Sequence, residues 1–249
     1  MSRRRVLLAV LAAVALLAVI TNLPTTTRVG IDFVQTEQRL PLYEKAIAFL
    51  DRDIQMRALA TRAAGDARGQ RERAVAILRW THEHVRPVPP GFPVIDDHPL
   101  NILIRGYGTV DQAADAFANL ATYAGVPAKF VYSRRGDRPV GLLPGRCCGW
   151  DNVDERMVYA FALVELDGTP RLFDVREGIA FTTRSGGLAT VAELRADPSL
   201  TADLPPPAEG RGLGYPELIA GIVLQEGRRV SDQMPLERIA GELGRLIGR

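Results

Sequence analysis

The chain has 249 residues, 31 basic and 29 acidic, with a formal net charge of +2 and a hydrophobic fraction of 47%. That length suits one medium domain with additions, and that apolar share is enough for a substantial core. A charge so near balance excludes the global positive field that draws proteins to nucleic acid. The two cysteines, Cys147 and Cys148, are adjacent, which excludes a disulfide framework because a bridge between neighbours strains the intervening peptide.

Ser2–Arg5 is a basic cluster, and Val6–Ile20 is an unbroken apolar run. The run is short for a span of ~20 residues, but Thr21–Leu23 extends it and no charge follows before Arg28. It reads as a single-pass anchor holding residues 6–23 in the membrane, Arg3–Arg5 staying cytoplasmic and the remainder lying outside. A cleaved signal peptide, leaving a secreted protein, is the alternative. Pro24–Arg28 reads as a linker. Apolar residues at Leu42, Ala46, Ile47, Phe49, Leu50 and Ile54 predict a helix within Gln38–Ala60. A second helix is expected over Arg71–Val85, ended by the extended loop that Pro87, Pro89, Pro90 and Pro93 impose.

Leu100–Ile104 is a short apolar segment leading to the Gly106-Tyr107-Gly108 turn. The next helix is the clearest element, with Ala113, Phe117, Leu120, Ala121 and Ala124 on one face. Thr109 or Asp111 can cap its start, and Gly125 and Pro127 close it. Ala128–Ser133 reads as a strand and Arg134–Asn152 as a polar, glycine-rich excursion. Met157–Leu166 is an almost wholly apolar strand. Asp167-Gly168 signals a hairpin turn from which Arg171–Val175 returns. A two-residue turn pairs residues whose numbers sum to 335, so Phe161 faces Asp174 and Ala162 faces Phe173, although Pro170 cannot donate to the ladder. Leu188–Arg195 predicts a short helix, Pro205–Pro207 ends the core, and Pro216–Glu226 and Ser231–Ile247 predict two terminal helices.

Gly106–Lys129, a glycine turn followed by a helix and then Gly125-Val126-Pro127-Ala128-Lys129, resembles the nucleophile-bearing segment of the transglutaminase-like cysteine enzymes. That family places a cysteine before an acidic or polar pair and Ala, with Gly-Ile/Val-Pro-Ala-Arg fifteen residues on. Here Val110 stands in the cysteine's place, before Asp111, Gln112 and Ala113. Downstream the family has His-Ala-Trp-Val-Glu-Val, a turn and a strand ending in Asp. This chain has Phe161-Ala162-Leu163-Val164-Glu165-Leu166 and then Asp174. The resemblance covers about Arg71–Val175. It implies an α+β fold, a transglutaminase-like (papain-like) core of helices on a small antiparallel sheet, between an N-terminal transmembrane or signal helix and a C-terminal helical tail. The parts are then 1–24, signal anchor or signal peptide; 25–70, an N-terminal helical segment; 71–204, the transglutaminase-like domain; and 205–249, the tail.

Cysteine acyl transfer needs a thiolate, a histidine to shuttle the proton and a group to orient that histidine. A helix N-terminus assists by lowering the thiol pKa and offering free amides to an oxyanion. The resemblance therefore implies degenerate triad positions at Val110, Phe161 and Asp174, of which only Asp174 keeps its chemistry. The expected protein is a pseudoenzyme, a binding or scaffold component of the cell envelope with a protein, peptide or glycan partner. Its cleft candidates are His98, Tyr107, Asp111, Gln112 and Trp150. The alternative is a cysteine-dependent amide hydrolase or acyl transferase using Cys147 or Cys148 beside Arg146, a residue able to depress a thiol pKa, with His98 or His84 assisting. For Asp174 the plainer expectation is a strand-end carboxylate bonded to a backbone amide or an arginine. His82 and His84 diverge by roughly 200° on a helix and chelate poorly. No metal, cofactor or nucleic-acid partner is expected.

Overall fold

The computed structural model describes residues 3–32, 34–96, 98–134 and 157–224. Helix α1 (Arg3–Thr21) buries none of its residues and has a mean hydropathy of 2.2. By length and composition it is apolar enough to cross a membrane.

The expected linker at Pro24–Arg28 is instead the start of a strand. β1 (Pro24–Ile31) pairs antiparallel with β2 (Val34–Pro41), from Pro24 opposite Pro41 to Ile31 opposite Val34. Three successive threonines favour extended backbone, and the prolines sit at the strand ends, where a missing donor is tolerated. The Thr25 hydroxyl donates to the Leu40 carbonyl at 2.8 Å. β2 also claims the first residues of the helix expected from Gln38. Pro41 is extended, with φ −65° and ψ 151°, and α2 (Leu42–Ala64) begins after it. β3 (Ile95–Asp96) joins β1 and completes a three-stranded sheet in the order β2-β1-β3.

α2 buries Met56, Ala60, Ala63 and Ala64, all in its second half. Those residues meet α3 (Gln70–His84), which turns Ala74, Ile77, Leu78 and Thr81 inward. The apolar stretch before the glycine turn is a short helix, α4 (Pro99–Arg105), followed by α5 (Val110–Tyr123). α5 places Ala113, Phe117, Leu120 and Ala121 in the core, as its spacing predicts.

The main sheet has the order β4-β5-β6-β7, with β4 at Ala128–Arg134, β5 at Met157–Leu166, β6 at Thr169–Asp174 and β7 at Ile179–Ala180. Leu166 pairs with Thr169 across a two-residue turn. Asp167 and Gly168 both have positive φ there, 51° and 73°, as a type I′ turn requires. The expected pairing of Ala162 with Phe173 is present, and Pro170 takes its place in the ladder opposite Glu165.

β5 is buried on both faces, which is why its sequence shows no alternation. Ala160, Ala162 and Val164 face α5 and α3, whereas Tyr159, Phe161 and Leu163 face a second apolar cluster. That second cluster is closed by α6 (Val191–Ala196) and α8 (Tyr215–Ala220), through Val191, Leu194, Tyr215, Leu218 and Ile219. α7 (Ser199–Ala202) lies between them in sequence. The expectation that the core ends at Pro205–Pro207 is therefore corrected: the chain returns after those prolines because Tyr215, Leu218, Ile219 and Ile222 carry apolar surface that the outer face of the sheet buries. The chain then runs beside β4. The Arg134 N–H donates to the Gly221 carbonyl, and the Val223 N–H to the Tyr132 carbonyl. A Cβ on Gly221 would strike the Arg134 carbonyl.

Candidate functional site

The turn that presents α5 is held from several directions. The Arg86 N–H donates to the Gly106 carbonyl at 2.9 Å, and the Gly108 N–H to the Arg86 carbonyl at 3.0 Å. Gly106 is left-handed, with φ 76°. At Gly108 a side chain would meet Gln112 Oε1 at 2.9 Å and Ile102 at 3.2 Å. Buried Arg176 clamps the same turn, donating to the carbonyls of Gly108 at 2.6 Å and Val85 at 3.1 Å. Its Nε lies 2.7 Å from Glu209 Oε1, an ionic contact without the alignment of a directed hydrogen bond. Burial raises the Glu209 carboxyl pKa, and the Arg176 charge opposes that rise.

Val110 is the first residue of α5, following Thr109 at the cap. Its side chain packs against both apolar clusters, including the one that contains Phe161. Phe161 is fully buried, with its ring centroid 5.1 Å from Tyr159 and 6.2 Å from Phe181. Asp174 ends β6 and is 0% exposed. Its carboxylate accepts from the Tyr159 hydroxyl at 3.0 Å, the Tyr215 hydroxyl at 2.8 Å and the Glu177 N–H at 3.0 Å. Burial pushes its pKa up to about 6, against the lowering effect of the Glu177 amide and the two hydroxyls. Burial, followed by the charge of Asp174, raises both tyrosine pKa values. The backbone amide was anticipated in sequence and the tyrosines were not. No arginine bonds Asp174 among the described interactions.

The other named residues divide between architecture and surface. Gln112 is buried and fully engaged: Oε1 accepts from the Thr109 N–H and Arg105, and Nε2 donates to the Ile95 carbonyl. The Thr109 hydroxyl donates to Asp111, whose other oxygen lies 3.5 Å from the Tyr132 hydroxyl. Tyr107 is half-buried and meets the exposed Phe92 ring edge-on at 5.6 Å. His98 caps α4, its Nδ1 accepting from the Leu100 N–H at 3.1 Å. His82 bonds the Arg176 carbonyl and lies under Gly178; His84 bonds the Trp80 carbonyl and stacks on the Trp80 ring. Cys147, Cys148 and Trp150 lie outside the described residues, as does the terminal helix expected at Ser231–Ile247. Among the described residues no three His, Cys, Asp or Glu side chains converge as metal ligands do.

A cleft of about 620 Å³ lies elsewhere, between the start of α3, the β5–β6 turn and residues 183–188. Arg71 and Arg171 at its wall already bond the carbonyls of Gly186 and Leu188.

Residues 57–169 match the model of the transglutaminase-like superfamily. The chain carries a transglutaminase-like domain. The match begins within α2, includes Val110 and Phe161, and ends before Asp174. Two solved structures are similar to part of this chain. A candidate protease from Parabacteroides distasonis is 13% identical with a TM-score of 0.36, over 62% of this chain and 36% of that one. A candidate cysteine protease from Cytophaga hutchinsonii is 14% identical with a TM-score of 0.37, over 62% and 53%. The chain thus spans about a third to a half of the length of these two structures. Comparison with curated proteins gives no match.

Proposed function

We propose that this transglutaminase-like protein is anchored in the membrane by residues 6–23 and faces the extracytoplasmic side. It lacks the covalent chemistry of its superfamily and serves as a binding or scaffold component of the cell envelope. The observation that carries the reading is the enclosure of Asp174. The carboxylate that would orient a histidine is sealed from solvent and takes its hydrogen bonds from Tyr159, Tyr215 and the Glu177 amide. Its histidine position is the buried ring of Phe161, which neither takes nor gives a proton. Val110, at the helix terminus suited to a thiolate, has no ionisable group. The half-buried ring of Tyr107, the exposed ring of Phe92 and the carboxylate of Asp111 border this end of α5 and suit a peptide or glycan partner.

The test is turnover by the purified chain of a glutamine donor with an amine acceptor, and of a peptide amide. No product above the buffer rate is expected. Turnover that disappears in Cys147→Ser or Cys148→Ser would replace this reading with the relocated-nucleophile enzyme. A second measurement addresses the assignment of positions. In Val110→Cys with Phe161→His, the new thiol should react with iodoacetamide well below pH 8. In Val110→Cys alone, with only the helix terminus to lower its pKa, it should react more slowly at the same pH. Equal reactivity in both would sink the assignment of Phe161.

A further inference from the structure

The first half of α2 presents an apolar stripe that no described residue covers. Tyr43, Ile47, Leu50 and Ile54 are 42%, 63%, 58% and 67% exposed. They follow one another at intervals of four, three and four, the spacing of one helix face. At 3.6 residues per turn the stripe is centred roughly 125° round the helix from buried Met56, Ala60, Ala63 and Ala64. The stripe therefore looks away from the core, and α2 can rest on a surface while carrying the domain on its other side.

The start of α2 is fixed at the exit of the apolar helix α1. The β1–β2 hairpin returns the chain to its origin, with Pro41 opposite Pro24. The Leu42 N–H then donates to the Leu23 carbonyl at 2.9 Å. A second tie follows one turn on, where Lys45 Nζ donates to the Thr26 carbonyl at 2.7 Å. α1 is about 28 Å long at 1.5 Å per residue, close to the ~30 Å hydrocarbon core of a bilayer. With α1 spanning, Leu23 lies at the hydrocarbon boundary and Leu42 is held at the same depth. The exposed apolar surface of Ile20 and Leu23 thus continues into Tyr43, a residue type suited to the boundary because its ring is apolar and its hydroxyl polar.

The direction of α2 follows from what each choice buries. Tyr43 and Ile54 are about 16 Å apart along the helix axis. Standing upright, α2 would carry Ile54 beyond a headgroup layer of about 6 Å and leave it in water. Lying flat, it buries all four side chains at one depth. Glu44 and Asp51 flank the stripe on one side. Asp53, ion-paired with Arg57 at 2.9 Å, flanks it on the other. These flanks give no attraction to anionic headgroups, so apolar burial alone must hold the helix. They also disfavour a second copy, because a two-fold antiparallel pair would set the Glu44–Asp51 flank against itself.

We infer that α2 lies along the bilayer surface with the Tyr43–Ile54 stripe in the lipid boundary, as a second and interfacial contact beside the spanning helix. This docking rests on the anchoring through residues 6–23 proposed above.

Spin labelling of the full chain in phosphatidylcholine vesicles tests both, with Cys147→Ser and Cys148→Ser as background. Single labels go at Tyr43→Cys, Ile47→Cys, Leu50→Cys and Ile54→Cys. Leu11→Cys reports on the anchor, and Ser185→Cys, in an exposed loop, supplies the aqueous reference. The ratio of relaxation by oxygen, which partitions into lipid, to relaxation by a water-soluble nickel chelate should be similar at all four stripe positions and at least roughly fivefold above that at Ser185→Cys. Lipid-phase relaxation at Leu11→Cys with water-phase relaxation along the stripe would overturn the docking and leave the anchor standing. A ratio that falls steadily from Tyr43→Cys to Ile54→Cys would show α2 standing off the bilayer and overturn it too. Stripe labels shielded from both relaxers would assign the face to protein, this chain or a second copy, with the same result. Water-phase relaxation at Leu11→Cys would remove the anchor and the docking together.

Discussion

The two faces of β5 do different work with the same backbone. Toward α5 the strand offers Ala160, Ala162 and Val164, and α5 answers with Ala113, Ala114, Ala116 and Ala121. Small side chains on both partners bring helix and sheet close together, which sets where the N-terminus of α5 is held. Toward α6 and α8 the strand offers Tyr159, Phe161 and Leu163, joined by Phe181 and Tyr215. Rings fill the space on that side, and the one carboxylate among them is bonded by two phenols. The small-residue face fixes the scaffold of the fold. The aromatic face encloses the Phe161 ring and the Asp174 carboxylate, so the proposed loss of chemistry on that side leaves the small-residue packing untouched.

Replacing the ring of Phe161 should damage the aromatic face most. Phe161→Ala removes a fully buried ring and should cost about 3–5 kcal/mol of unfolding free energy in urea titration; a loss below ~1 kcal/mol would show that the ring is not a structural plug. Next comes the acidity of Asp174. Its folded pKa of about 6 exceeds the usual carboxylate value of 3.8, so the folded state binds the proton more tightly. Its contribution to stability is therefore most favourable below about pH 4 and declines as pH rises toward 6. Subtracting the stability–pH profile of Asp174→Asn from that of the wild type should reveal this decline, on the order of 2–3 kcal/mol; a difference that is flat or rises with pH would contradict it. Tyr215→Phe removes one donor to the buried carboxylate and should cost roughly 1.5–3 kcal/mol, with a further rise in the Asp174 pKa measurable by carbon-detected NMR. On the small-residue face, Ala162→Leu overpacks the contact with α5 and should cost about 1–3 kcal/mol. Tolerance of that change without a fall in melting temperature would mean that close approach does not position α5.

Much of this was legible in the chain where local pattern and tertiary demand coincide. The α5 face appears in the spacing of Ala113, Phe117, Leu120 and Ala121, and the β5–β6 register follows from Asp167-Gly168 alone. The β1–β2 hairpin was hidden because its threonines and charged residues show no alternation, as expected for strands with little apolar surface to bury. α4, at seven residues, is too short to display a helical period. The tyrosine pair around Asp174 was missed for a different reason. Tyr215 stands 41 residues from Asp174, beyond prolines that mimic a domain end, and no local signal links a phenol to a carboxylate at that separation.

Gly221 closes a liability as well as a path. The stretch it opens lies along β4, the outermost strand of the main sheet, which would otherwise present unpaired amides and carbonyls to any neighbouring chain. A side chain at 221 would push that stretch away from the Arg134 carbonyl and uncover the strand. Gly221→Val should therefore be revealed first as self-association between copies, through strand-to-strand pairing, before any loss of the core.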